Sequence, residues 1–286
     1  MMRGSRASTG RAFAMPMVIL LLVVTGLAIS VSVRRHASEQ LLVSRQIDGY
    51  HQHHTGRGLQ EAIGAWLRQQ NGRDIDASID EDGGRAMDIL LEDGSIVSVF
   101  LIDAQGALLS DLTALEQSQA EEGAAALGHL LDRVSPAGYL RLTRRAGPLG
   151  VSVHTAPLEV LRAVCLVASD RHGSRLAMEF SRLQDTGDEI TRQSIVEAAT
   201  RSGLDGEERA RLLRLLVTDV TLWGVVVEVR GGRGLTKGRL LARYGGLTTI
   251  RPNSGRSGIN DMSIGSFMTW KDLGIDRRSV DPADLY

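Results

Sequence analysis

Residues 13–33 read Phe-Ala-Met-Pro-Met-Val-Ile-Leu-Leu-Leu-Val-Val-Thr-Gly-Leu-Ala-Ile-Ser-Val-Ser-Val, 21 residues without a charge close to the start of the chain. At helical rise that length matches the roughly 20 residues needed to cross the hydrocarbon core of a bilayer. The segment predicts an N-terminal membrane anchor. Arg3, Arg6 and Arg11 precede it and Arg34 and Arg35 follow it, so the loop-charge rule by itself does not set the orientation. A secretory signal peptide is the second reading, with the three arginines as its basic region and Ala28-Ile29-Ser30 as its cut site. Signal h-regions, however, usually run only about 7 to 15 residues. Pro16 adds a constraint. Inside a helix a proline costs about 3 kcal/mol, but in a first turn the N–H it lacks has no helical partner anyway. A mature chain beginning at Phe13 places Pro16 in that turn.

Behind the anchor the composition is that of an ordinary folded body. The chain has 286 residues, 43% of them hydrophobic, and a net charge of −1, enough to bury the core of one or two domains. A balance so close to neutral supplies no electrostatic drive toward nucleic acid. The single cysteine, Cys165, rules out an internal disulfide. Its neighbours Ala163, Val164, Leu166 and Val167 mark it as a small buried residue rather than a reactive thiol.

Residues 34–70 read as a helical continuation, with Leu41, Leu42, Ile47, Ile63, Trp66 and Leu67 at helix-like intervals and Gly56 and Gly58 as a break. His51, His53 and His54 invite a metal reading, but the stretch is polar and exposed or packing histidines are expected. Asp74, Asp76, Asp80, Glu81 and Asp82 lack the spacing of an EF-hand and read as a solvated loop. No cofactor is expected, and calcium is left open. Residues 89–92 and 96–102 flank Asp93-Gly94 as two strands of a hairpin. Asp103-Ala-Gln-Gly then turns the chain into Ala107-Leu108-Leu109, continuing a meander. Thr113 and Glu116 form a capping-box pattern for a helix to about residue 133, and residues 139–142 suit a short strand.

Two motifs point to one family. The run Ala12-Phe13-Ala14-Met15-Pro16-Met17, with a basic leader before it and aliphatics after it, resembles the class III signal of type IV pilins and type II secretion pseudopilins. Ala12 stands where the family nearly always has Gly. Met17 stands where most members have Glu, a feature of the K-type minor pseudopilin. The second motif, Val151-Ser152-Val153-His154-Thr155-Ala156-Pro157-Leu158-Glu159-Val160-Leu161, resembles the I-x-V-N-T-A-P-x-x-V-L element of the same K-type, with His154 in place of Asn. Alternation of Val151 and Val153 favours an extended path, Thr155 can cap, and Pro157 suits a first turn.

After this motif, helices are expected over residues 170–183, from a Thr186-x-x-Glu189 capping box to about 201, and from Asp205 and Glu208 to 217. Strands follow over 220–229 and 238–244. The second reading is a membrane-anchored envelope binding protein unrelated to pili, for example a DNA receptor whose helical cluster is a helix-hairpin-helix module. Two features oppose it: Leu166-Val167-Ala168-Ser169 lacks a Gly-x-Gly phosphate turn, and residues 151–218 hold 9 Arg and no Lys against 10 Asp plus Glu. Neither a P-loop, a Gly-x-Ser-x-Gly elbow nor a His-Glu-x-x-His motif occurs, so a non-enzyme is expected, with an envelope hydrolase as a distant third reading.

The resemblance implies an α+β fold in which an N-terminal transmembrane and stalk helix packs on a pilin-like antiparallel sheet with an inserted all-α domain. The divisions are a prepilin leader (1–12), a transmembrane helix (13–33), a stalk (34–70), a first β region (71–150), the α-domain (151–218), a second β region (219–250) and a tail (251–286). It further implies cleavage between Ala12 and Phe13 by prepilin peptidase, assembly through Pro16 and Met17, and the inner membrane with the N-terminus cytoplasmic and the body periplasmic. Its partners are other minor pseudopilins and the inner-membrane secretion platform.

Overall fold

The computed structural model describes residues 14–70, 72, 74–75, 79, 84–187, 190–252, 264–275, 280 and 282–286. The junction Ala12-Phe13, Asp76, Asp80, Glu81 and Asp82 of the acidic cluster, and Glu189 lie outside them. Two compact units divide the chain, residues 1–58 and 59–286.

Helix α1 (Ala14–Leu67) opens with Pro16 in its first turn and runs through Gly56 and Gly58 without a break. Each of those glycines costs a helix about 1 kcal/mol relative to Ala, which is not enough to end it. The stretch Met17–Arg35 is apolar, fully exposed and long enough to span a bilayer. Thr25, a polar side chain within it, donates its hydroxyl proton to the Leu21 carbonyl at 2.6 Å and so carries no unmet donor.

In the second unit the last turns of α1 present Leu59, Ile63, Trp66 and Leu67 to a five-stranded antiparallel sheet. The strands are β1 (Arg85–Leu90), β2 (Ile96–Asp103), β7 (Leu222–Arg230), β8 (Leu240–Thr249) and β9 (Phe267–Asp272), hydrogen-bonded in that order. Alternation decides the faces. Val97, Val99 and Leu101 of β2 meet Val225 and Val227 of β7 on the face that α1 covers. Val226 and Leu247 look the other way, onto Leu285. The β1–β2 turn is the tight one that Asp93-Gly94 predicts. Gly94 takes a positive φ of 83°, and Asp93 accepts from the Ser95 N–H at 2.8 Å, a bond that holds its carboxyl below the usual range.

Neighbouring strands β2 and β7 are separated in sequence by residues 104–221. This excursion contains β3 (Leu108–Leu109), α2 (Gln117–Leu131), α3 (Pro136–Leu142), β4 (Thr143–Arg144), β5 (Val151–Ser152), α4 (Leu158–Ala168), α5 (Gly173–Thr186), α6 (Arg192–Arg201), α7 (Gly206–Leu215) and β6 (Leu216–Val217). Its helices close around Leu130, Leu161, Phe180, Ile195 and Leu212, with Cys165 fully buried and its thiol pKa pushed up by that burial. Within residues 151–218 the helices α4 to α7 stand beside one two-residue parallel ladder, β5 with β6; a second, β3 with β4, lies earlier in the excursion. All of it belongs to the same compact unit as the sheet, so an inserted all-α domain is not set apart from it.

Other local expectations shift for identifiable reasons. Residues 139–142 are helical, because Ser135 caps the Gly138 N–H and Pro136 starts a turn. Leu108-Leu109 pairs with Thr143-Arg144 instead of extending the β1–β2 meander. Residues 251–286, expected only as a tail, supply the edge strand β9.

On the face of the sheet away from α1, Glu228 is 8% exposed and Arg243 5%. Arg243 Nε donates to Glu228 Oε1 at 3.0 Å, and Arg230 Nη2 to Oε2 at 2.7 Å. Burial alone raises the Glu228 pKa, but the bonds from Arg243 and Arg230 outweigh it and hold the carboxyl below 4.5. A depressed carboxylate stabilises the fold above its unfolded pKa, and that contribution is lost as pH falls through the folded value. Denaturant melts of the chain are expected to lose stability below about pH 4.5, a loss that Glu228→Gln shallows. At pH 7 the same substitution is expected to cost on the order of 3 kcal/mol, by removing the anion between two guanidinium groups.

Candidate functional site

The residues singled out by the sequence fall in two places. Pro16 and Met17 lie in the first turns of α1, with Met17 67% exposed. The motif 153–157 lies at the neck where the excursion leaves and rejoins the sheet, so the structure describes the two groups in different units.

Asp103, the last residue of β2, organises that neck. It accepts from the Gln105 N–H at 2.8 Å, the Ser152 hydroxyl at 2.5 Å and the Thr155 hydroxyl at 2.8 Å. Thr155 is thereby directed to the strand end and not to the helix it precedes. The N-cap of α4 is Pro157, with no side-chain cap, which corrects the capping role expected of Thr155. Val153 and Ala156 are buried, while His154, Thr155 and Pro157 face solvent. Gln184 of α5 donates to the Val153 and Ala156 carbonyls at 2.7 and 3.0 Å. The motif thus joins strand end, helix hairpin and β5 at one point.

Gln105 and Arg144 complete the neck, and the sequence reading singles out neither. Gln105 is 1% exposed and uses both ends of its amide. Nε2 donates to the Gly150 carbonyl at 2.8 Å, and Oε1 accepts from the N–H groups of Thr221 and Leu222 at 2.9 and 3.1 Å. One side chain therefore ties together the exit of β2, the approach to β5 and the entry to β7. Arg144, also 1% exposed, donates to the carbonyls of Ala107, Ala146, Pro148 and Gly150. Burial lowers its pKa to about 10, which leaves it cationic at neutral pH. Gln105 stands in a segment that reads as a plain turn, and Arg144 in a charged pair. No local pattern announces a side chain whose partners lie 45 to 117 positions away.

The chemistry of the neck is that of fixation. The Asp103 carboxylate takes up three donors and Ser152 is fully buried, a poor arrangement for proton abstraction from a substrate. Of the other candidates, His53 and His54 are exposed, with ring centroids 5.7 Å apart. Among the described residues no group of three or more His, Cys, Asp or Glu converges as metal ligands. Asp74 is the described member of the Asp74–Asp82 acidic residues and is exposed.

No family model matches the chain, and no curated protein matches it. Among solved structures it is similar to one from the GspK-GspI-GspJ complex of the enterotoxigenic Escherichia coli type 2 secretion system. The TM-score is 0.43 at 10% sequence identity, covering 80% of this chain and 98% of that one. A likeness at that score assigns neither family nor function.

The neck generates a quantitative expectation. Gln105→Ala removes one buried donor and one buried acceptor and leaves backbone groups of Gly150, Thr221 and Leu222 short of partners. A loss of about 2–4 kcal/mol is expected in denaturant melts. Gln105→Glu keeps the acceptor but not the donor to Gly150, and is expected to recover little of that loss.

Proposed function

We propose that this chain is a non-enzymatic minor pseudopilin of a type II secretion machine, held in the inner membrane by α1 and built into the tip of a pseudopilus. The observation that carries the proposal is α1 itself: 54 residues, apolar and exposed over Met17–Arg35, with Ile63 and Leu67 of its last turns buried in the core of an antiparallel sheet. A cleavable signal sequence has no use for so long a continuation. Pro16 in the first turn fits a mature chain starting at Phe13. The resemblance at residues 12–17 and 151–161 supplies the secretion context, the partners (other minor pseudopilins, the inner-membrane platform and prepilin peptidase) and a cytoplasmic N-terminus with a periplasmic body.

The DNA-receptor alternative is not favoured. At the α6–α7 turn the donors that would grip a phosphate are engaged by protein: Asp205 accepts from the Glu208 N–H at 2.8 Å. Glu207 and Glu208 stand in the first turn of α7, where a bound anion would meet their charge.

The place at the tip follows from Met17. In a filament packed through apolar helices, a carboxylate at this position needs a cation from a neighbouring subunit, since an unpaired buried charge costs several kcal/mol. A subunit with nothing above it has no such neighbour, and an apolar Met removes the requirement.

Two outcomes are expected. N-terminal sequencing of membrane-extracted protein should give a start at Phe13, whereas a start near residue 31 with the body free of the membrane would identify a signal peptide. Overexpressed alone, the chain should form no filaments. Co-expressed with minor pseudopilins it should label one end of each filament; label along the shaft would refute the tip position.

A further inference from the structure

Residues 282–286 fill a socket on the face of the sheet opposite α1. Pro282–Asp284 form a 3-10 turn, closed by the Leu285 N–H on the Pro282 carbonyl at 3.0 Å, which presents Leu285 and Tyr286 to the sheet. Leu285 is fully buried. Its floor is made by two glycines on neighbouring strands, Gly224 of β7 and Gly245 of β8, which share a face because Val226 pairs with Gly245 and Gly224 with Leu247. A Cβ at Gly224 would stand 2.5 Å from Leu285 Cδ1, and one at Gly245 would stand 2.6 Å from Cδ2. Both distances are below van der Waals contact, so Leu285 sits against bare backbone at both positions, beside Ile102 and Leu273, which a Cβ at Gly224 or Gly245 would also meet, at 2.8 and 2.6 Å. Central strand positions seldom carry glycine, since it weakens the strand and packs nothing; close approach of another group is the usual reason.

Polar contacts fix the segment at both ends. Thr269 of β9 donates to the Leu285 carbonyl at 3.1 Å and Lys271 Nζ to the Tyr286 carbonyl at 3.2 Å. The Tyr286 hydroxyl donates to the Ala104 carbonyl at 2.9 Å. Ala104 is the first residue of the excursion, and its own N–H donates to the Leu222 carbonyl at 3.3 Å. The segment therefore reaches from the edge strand β9, across the glycine socket, to the neck that Gln105 closes.

We propose that the glycine socket is a peptide-binding site occupied in cis, and that residues 282–286 are its ligand, a Leu-aromatic peptide whose docking locks the neck of the excursion. An apolar anchor buried in a socket and hydrogen bonds to carbonyls are the features of peptide recognition in general. The segment acts as a latch: with it docked, Ala104 is held to both β7 and Tyr286; with it released, Ala104 is held to β7 alone.

The test uses the full chain in detergent, with and without residues 282–286, and reads hydrogen exchange at the neck amides (Ala104, Thr221, Leu222) and at mid-sheet amides of β2 and β7. The truncated chain is expected to exchange at least about tenfold faster at the neck, with mid-sheet protection unchanged. A blocked five-residue peptide of sequence 282–286, added in trans, should restore the neck saturably; the same peptide with Leu285→Asp should not. In the untruncated chain, Leu285→Asp should reproduce the fast neck by emptying the socket while leaving the mid-sheet amides protected. Three results would overturn the proposal: unchanged exchange at the neck on truncation, loss of protection throughout the sheet, or a loosened neck that millimolar peptide does not restore.

Discussion

The Gln105 amide closes a long chain excursion at its base. Strands β2 and β7 are hydrogen-bonded neighbours from Ile96 opposite Arg230 to Asp103 opposite Trp223, yet residues 104–221 lie between them. Pairing strands across such a distance carries a loop-closure entropy that only interactions at the base and within the excursion can offset. Inside, the helices bury their own core around Phe180 and Leu161. At the base, a carboxamide is suited to the task because it donates on one side and accepts on the other, so Gly150 and the Thr221-Leu222 amides are satisfied by one neutral group. A charged side chain there would face desolvation without a counter-ion. Arg144 is the exception nearby, and it is held by four carbonyls whose dipoles all point at the guanidinium.

The sheet between these elements is covered unequally. One face takes the last turns of α1 through side chains spaced four apart, Leu59, Ile63 and Leu67, the ordinary stripe of an amphipathic helix. The other takes a short non-regular segment that needs two glycines in the strands beneath it. Close approach occurs on the helix side too, where a Cβ at Gly64 of α1 would stand 2.6 Å from the Gly265 carbonyl oxygen. The edges are blunted by charge and irregularity: Arg85 and Asp88 with a register shift on β1, Lys271 and Asp272 on β9, the usual protection against strand addition.

Much of this was legible from periodicity and turn chemistry. The apolar helix before Arg34, the Asp93-Gly94 hairpin, the strands over 96–102 and 220–229, and the Asp205/Glu208 capping box depend on neighbours within a few residues, and the structure realises each. Where reading failed, a polar side chain had two local options and tertiary or backbone context chose the other. Thr113 does not cap with Glu116, because its hydroxyl and N–H are both held by Asp111, at 2.6 and 3.1 Å. Thr186 does not open a helix. Its hydroxyl returns to the Leu183 carbonyl, and Gly187, at a φ of 70°, ends α5 behind it. The next helix is capped instead by Thr191 with Ser194. The site was half legible: the 153–157 motif could be seen, but Gln105 clamps groups 45 to 117 positions away, and Arg144, though it also bonds the nearby carbonyls of Ala146, Pro148 and Gly150, gives no sign in sequence of being buried.

The same contrast bears on how the two ends of α1 relate to function. From Met17 to Val33 large apolar side chains are exposed one after another, the kind of patch that marks an interaction or membrane surface. At Ile63 and Leu67 the helix is fixed by burial within its own chain. The α-helix suits both settings because every interior N–H and C=O is paired within it. Gly56 and Gly58, at the boundary between the two units, are tolerated there for the same reason: the ladder passes through them and no side chain is required to hold it.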